Sequence, residues 1–154
     1  MKIIFLDFDG VICTHDSILN AQRIIKEDKK LYDSESIVSV LVENLNKVIE
    51  QTGAVVVITS DWRYSYSVDE MAAFLKNKGF IGQVFDVIPK SKNDNRGEEI
   101  RTWINDFYCI IRGFIILDDE ISDIFSVFPD NYIQTDMIKG FHEGLIQDTI
   151  NKLK

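Results

Sequence analysis

Lys2-Ile3-Ile4-Phe5-Leu6-Asp7-Phe8-Asp9-Gly10-Val11 is the stretch whose reading decides the fold. Apolar residues run without alternation and stop at two carboxylates spaced i, i+2, followed by a glycine. Such a run reads as a strand buried on both faces, as in a parallel sheet covered by helices. Residues i and i+2 of a strand share a face. If the strand continued, Asp7 and Asp9 would sit side by side as like charges inside a buried sheet, which is costly. The strand is therefore expected to end at Asp7, with a cation or a phosphate near the two acids.

Working outward, the same pattern repeats. Ala54-Val55-Val56-Val57-Ile58-Thr59 is a second buried strand, ending in Thr59-Ser60-Asp61. Gly113-Phe114-Ile115-Ile116-Leu117 is a third such run and enters Asp118-Asp119-Glu120. Shorter strands are expected at Gln83–Ile88 and Tyr132–Thr135. Between them lie helical patterns. From Ser36 to Gln51, Ile37, Leu41, Leu45 and Val48 recur on one face, with Ser34 or Ser36 as candidate caps and Gly53 as the stop. Ser67-Val68-Asp69-Glu70 is a capping box for a helix ending at Gly79, and Asn95-Arg96-Gly97-Glu98 has the same form. A short helix is expected from Ile121 to Phe128 and a final one from Glu143 to Leu153. Residues 12–35 carry no clear periodicity. A short helix at Ala21–Lys26 within solvated loop is the expectation there.

Alternating strands and helices give an α/β fold, a parallel five-stranded sheet with helices on both faces. Ligands of such sheets bind at the carboxyl ends of the strands. Asp7/Asp9, Thr59/Ser60 and Asp118/Asp119 would all face that edge. The 154 residues suit one domain spanning 1–154. The longest apolar runs are too short to cross a bilayer, and the first is cut at Asp7, so a cytoplasmic location without membrane attachment is the expectation. A net charge of −8 argues against a large basic nucleic-acid footprint. Cys13 and Cys109 form no metal-binding spacing and read as reduced, small apolar residues.

Carboxylates converging from different strands repel unless a cation neutralises them. Oxygen ligands without Cys or His suit a hard ion, Mg²⁺ above all, and Mg²⁺ in such sites commonly also holds a substrate phosphate. The residue types present are those that phosphoryl transfer needs: a carboxylate nucleophile, charge neutralisation and a proton shuttle.

Asp7-Phe8-Asp9-Gly10-Val11 resembles the D-x-D-G-V signature of the haloacid dehalogenase (HAD) superfamily of phosphohydrolases. Thr59, Arg96 and Asp118-Asp119 resemble that family's second, third and fourth motifs, in the right order. Ile58-Thr59-Ser60-Asp61-Trp62-Arg63, Arg96-Gly97-Glu98-Glu99-Ile100 with Trp103, and Leu117-Asp118-Asp119 are similar to small HAD proteins associated with RNA-repair systems. The resemblance implies a three-layer, Rossmann-like fold. It implies Asp7 as nucleophile and Mg²⁺ ligand, and Asp9 as acid–base with its backbone carbonyl on the metal. Thr59 and the Ser60 N–H would hold phosphate oxygens, with Gly10 also binding substrate, and Arg96 would neutralise phosphoryl charge. Asp118 and Asp119 would complete the metal shell. Lys90 or Lys92 are alternatives to Arg96 for the basic motif. Arg63 would grip a distal substrate group or else form a surface ion pair. Asp123 would face the site or lie on a solvated helix face. Trp62 and Trp103 read as core rather than base-stacking platforms, and His15 and His142 as surface residues.

No full cap domain is expected. Residues 12–35 could hold a small flap, and the open site would admit bulky substrates. The reading is an Mg²⁺-dependent phosphomonoesterase acting through an aspartyl phosphate on a small-molecule or nucleic-acid-end phosphate, without an evident protein partner. A phosphotransferase, or a binding protein that kept the acids, is the alternative.

Overall fold

The structure, a computed structural model, describes residues 1–89, 95–120 and 122–154. Its centre is a five-stranded, wholly parallel sheet ordered β3-β2-β1-β4-β5. The strands are β1 (Lys2–Leu6), β2 (Val55–Ile58), β3 (Val84–Val87), β4 (Gly113–Asp118) and β5 (Tyr132–Gln134). Each falls on a run expected to be a strand. Because β1 lies between β2 and β4, the chain reverses its direction of growth there. That switch point is where open α/β sheets leave a crevice at the carboxyl edge.

The non-alternating sequence of β1 is explained by its two faces. Ile4 and Leu6 join a core with Leu45 and Val48 of α3 (Ser39–Thr52), Met71 and Leu75 of α4 (Val68–Asn77), and Ile150 and Leu153 of α7 (Ile146–Leu153). Ile3 and Phe5 point the other way, into a second core with Ile100 and Trp103 of α5 (Arg96–Phe107) and Ile124 of α6 (Ser122–Val127). Ile3 through Leu6 have no exposed surface. Fully burying four such side chains contributes on the order of 6–12 kcal/mol, which anchors the strand whose end carries Asp7.

Local signals set the helix ends. Ser67 and Glu70 form the expected reciprocal capping box, and Gly53 closes α3 in the left-handed region at φ 65°. At α5 the Asn95 side chain accepts the Glu98 N–H at 2.9 Å, while the Glu98 carboxylate pairs with Arg101. The last helix starts later than expected, with a 3₁₀ turn at Glu143–Leu145 before α7.

Residues 12–35 depart from the expected loop. They form α1 (His15–Ile24) and most of α2 (Lys29–Ser36). Thr14 and Ser17 make a reciprocal cap for α1, with serine in the place usually held by Glu or Gln, and Asp28 caps α2 through the Leu31 N–H. Each helix buries one residue, Ala21 and Ser36 respectively, so neither shows an apolar stripe. Ser36 is therefore the end of α2, where its hydroxyl donates to the Asp33 carbonyl at 2.6 Å. The start of α3 follows Val38 without a side-chain cap, so neither Ser34 nor Ser36 caps it. The two helices lie between β1 and α3 and pack against each other. No helix among the described residues is long and apolar enough to cross a membrane.

Candidate active site

The sheet ladder aligns the site. Past the last paired residues of β1, the Asp7 N–H donates to the Leu117 carbonyl at 3.1 Å, and the Thr59 N–H donates to the Leu6 carbonyl at 2.9 Å. These two bonds set Asp7 between Thr59 and Asp118. The chain then turns away from the sheet plane. The Phe8 carbonyl accepts N–H groups from Val11, Ile12 and Cys13, and Gly10 takes φ +76°. A Cβ at Gly10 would stand 2.5 Å from Asp119 Cγ, so this glycine makes the room that the Asp119 carboxyl occupies.

Asp7, Asp118 and Asp119 each offer one oxygen, and these oxygens lie within 4.8 Å of one another. Asp7 and Asp118 are buried. The Asp9 carboxylate is outside this group. Its Oδ2 accepts the Trp62 indole N–H at 3.3 Å.

Arg96 reaches the acids from the first turn of α5. Its Nη1 lies 2.7 Å from Asp118 Oδ2 and 3.2 Å from Asp7 Oδ2, and its Nη2 lies 3.0 Å from Asp61 Oδ1. Its side chain is 16% exposed. Lys90 and Lys92 lie outside the described residues.

Burial and the neighbouring Asp118 push the Asp7 carboxyl well above the usual carboxylate range, with Arg96 pulling it back in part. Asp119 is raised by burial and by Asp118. Burial also raises Asp9, against the Trp62 hydrogen bond that favours its charged form. Burial disfavours the Arg96 charge, but Asp7 and Asp118 outweigh it and hold that group above its ordinary range. A cation bound among Asp7, Asp118 and Asp119 would favour their charged forms, which the Arg96 guanidinium does only in part. An all-oxygen donor set of this kind fits Mg²⁺. A second sign of a missing partner is Thr59: its hydroxyl is fully buried beside Asp7 and has no hydrogen-bond partner.

Arg63 is more deeply buried than expected. It makes ion pairs as one expectation had it, but not on the surface: its side chain is 3% exposed, and it lines the same cavity as Arg96 and Asp61. Its Nη1 donates to the Thr59 carbonyl at 2.5 Å and to Asp61 Oδ1 at 3.0 Å, and its Nη2 donates to Glu99 Oε2 at 2.8 Å. Arg63 ties the end of β2 to α5, three residues beyond Arg96. Asp61 bridges the two arginines. Sequence reading missed Asp61 and Glu99 as partners. The signal available was the spacing of Glu99 from Arg96, about one helical turn.

Trp62 is half-buried against the core and also holds Asp9, a contact the core reading lacked. Trp103 is core, with its N–H donating to Asp86 at 2.7 Å. Ser60 is buried and its hydroxyl accepts the Trp62 N–H at 3.3 Å. Asp123 lines a cavity of about 290 Å³ together with Arg96, Asp61 and Glu120. His15 is exposed, and His142 caps the 3₁₀ turn before α7.

Residues 3–145 match the family model described as the HAD domain in Swiss Army Knife RNA repair proteins. The chain belongs to this HAD family. No curated protein and no solved structure matches it. The matched span of this HAD domain runs from β1 to the turn before α7. It includes every acid of the carboxylate group, Arg96 and the α1–α2 insertion. Membership supports a HAD-type hydrolase of the phosphatase kind.

Proposed function

We propose that this HAD domain is an Mg²⁺-dependent phosphomonoesterase that works through an aspartyl phosphate on Asp7. The observation that carries the reading is the buried Asp7 carboxylate, set between Asp118 and an unpartnered Thr59 hydroxyl, with Arg96 against it. Asp7, Asp118, Asp119 and the Asp9 carbonyl would hold the cation. When bound, the cation supplies charge neutralisation on the transferring phosphoryl group.

The protein's own groups account for the remaining steps. An Asp7 oxygen attacks phosphorus as the bond to the leaving oxygen breaks. Asp9 gives its proton to that oxygen, and its raised proton affinity suits the role. In the second half, Asp9 takes a proton from water as water attacks phosphorus. The Asp7–phosphorus bond breaks and inorganic phosphate leaves. The Thr59 hydroxyl donates to a phosphoryl oxygen and so gains the partner it lacks. Arg96 meets the charge that develops on the phosphoryl oxygens with a planar fork in place of a lysine point charge. Asp118 and Asp7 hold its Nη1 and Asp61 its Nη2, and Arg63 and Glu99 brace the neighbouring backbone of α5.

The family's name links its members to RNA repair, which favours phosphorylated nucleotides or nucleic-acid ends as substrates. The test is turnover of p-nitrophenyl phosphate and of a panel of phosphate esters, with and without Mg²⁺. Mg²⁺-dependent turnover that disappears in Asp7→Asn is expected. Activity surviving that substitution would refute the mechanism.

A further inference from the structure

A cavity of about 300 Å³ opens beside Asp9, and Asp7, Asp118 and Asp119 are not part of its lining. The insertion after β1 builds much of it. Gln22 comes from α1, Lys29, Tyr32 and Asp33 come from α2, and Trp62 and Tyr66 come from the segment after β2. On the reading above, Asp9 protonates the leaving oxygen. Whatever is bonded to that oxygen therefore extends into this space.

The chemistry of the walls narrows what it can be. Lys29 Nζ stands 5.8 Å from the Tyr32 ring centroid and 5.6 Å from that of Tyr66, so rings from two elements converge on one point. Asp33 holds the arrangement. It pairs with Lys29 and accepts the Tyr66 hydroxyl at 2.6 Å. Asp9, Asp33 and Asp61 all line the cavity, which disfavours a further anion of the leaving group inside it. Lys29 already fills the ammonium position between the tyrosines, which disfavours a cationic one. An uncharged group with a flat face and polar edges remains. It would gain the aromatic walls beside Lys29 and the Gln22 amide. The volume lies at the small end of ligand sites, enough for one such unit.

We propose that this cavity is a nucleoside subsite, which takes the leaving group of the substrate with its base against Tyr32 and Tyr66. The proposal rests on the phosphatase reading. The nucleoside can come from a free mononucleotide or from the phosphorylated terminal residue of a strand.

The experiment compares kcat/KM for adenosine 5′-monophosphate, adenosine 3′-monophosphate, a short oligonucleotide with a terminal phosphate, and glycerol 2-phosphate. Wild type, Tyr32→Phe and Tyr32→Ala are each measured. A nucleotide preference over glycerol 2-phosphate is expected, kept by Tyr32→Phe and reduced about tenfold or more by Tyr32→Ala. Oligonucleotide turnover matching that of the mononucleotides assigns the subsite to strand ends; mononucleotide turnover alone assigns it to free nucleotides. Adenosine binding to Asp7→Asn, followed by calorimetry with and without Tyr32→Ala, reads the subsite without turnover. Hydrolysis of all esters with no nucleotide preference overturns the subsite and leaves the phosphatase reading standing. Adenosine binding that Tyr32→Ala weakens, with no ester hydrolysed by wild type, overturns the phosphatase reading and leaves the nucleoside site standing.

Discussion

Replacing Arg63 with alanine separates a structural arginine from a substrate-gripping one. The guanidinium is buried, and its loss would strand the Glu99 carboxylate, whose side chain is 8% exposed. It would also strip the Thr59 carbonyl of a donor at 2.5 Å. Breaking a buried pair from one side costs about 3–5 kcal/mol, because the remaining charge is left without a partner. The Asp61 contact adds little, since that side chain is 71% exposed. For a domain of this size each kcal/mol moves Tm by roughly 2–4 °C, so the midpoint should fall by at least about 6 °C. Thermal melting followed by circular dichroism gives the number. Arg63→Met combined with Glu99→Leu removes both charges and should recover much of the loss. Activity of Arg63→Ala, measured well below its midpoint, should fall mainly in kcat, because Arg96 loses its support through Asp61 and α5. A Tm within about 2 °C of wild type, together with a raised KM and unchanged kcat, would refute this reasoning and return Arg63 to the substrate.

Three further outcomes follow from single contacts. Thr59→Val keeps the shape and removes a buried hydroxyl that has no partner, so Tm should hold or rise while kcat falls about 100-fold; a clear loss of stability would contradict this. In Trp62→Phe, Asp9 loses the indole N–H that favours its carboxylate, so its proton affinity rises. The acid form then persists to higher pH, and the alkaline limb of the rate profile for an alkyl phosphate should move up by about one unit; a downward shift would contradict the contact. Burial pushes the Cys13 thiol up and keeps it neutral, whereas Cys109 is exposed. An aromatic disulfide reagent should therefore titrate one thiol in the native protein and two in denaturant.

The strands and the acids at their ends were legible because buried parallel strands leave an unmistakable run of apolar residues. Ile3–Leu6 and Val55–Ile58 stop where their strands stop and Ile115–Leu117 one residue before, so Asp7, Thr59 and Asp118 fall into line from the apolar runs alone. The insertion was not legible. With one buried residue apiece, α1 and α2 are held by caps and by each other, and neither contact produces a period. The partners of the site were also hidden. Arg63, Asp61, Glu99 and Trp62 act through side-chain contacts whose separations, such as 36 residues between Arg63 and Glu99 and 53 between Trp62 and Asp9, depend on the packing of α5 and β1 around β2. A polar residue next to a motif reads as a ligand contact from sequence alone. Whether it turns inward is decided by a neighbour that the sequence places far away.

The central claim is that Asp7 carries the phosphoryl group. The direct measurement is acid quench of turnover with a phosphate-labelled ester, followed by peptide mapping. The account predicts acid-stable, alkali-labile label on the peptide that contains Asp7, formed only with Mg²⁺ present and lost in Asp7→Asn. Steady hydrolysis with no label on the protein at any quench time, undiminished in Asp7→Asn, would contradict it.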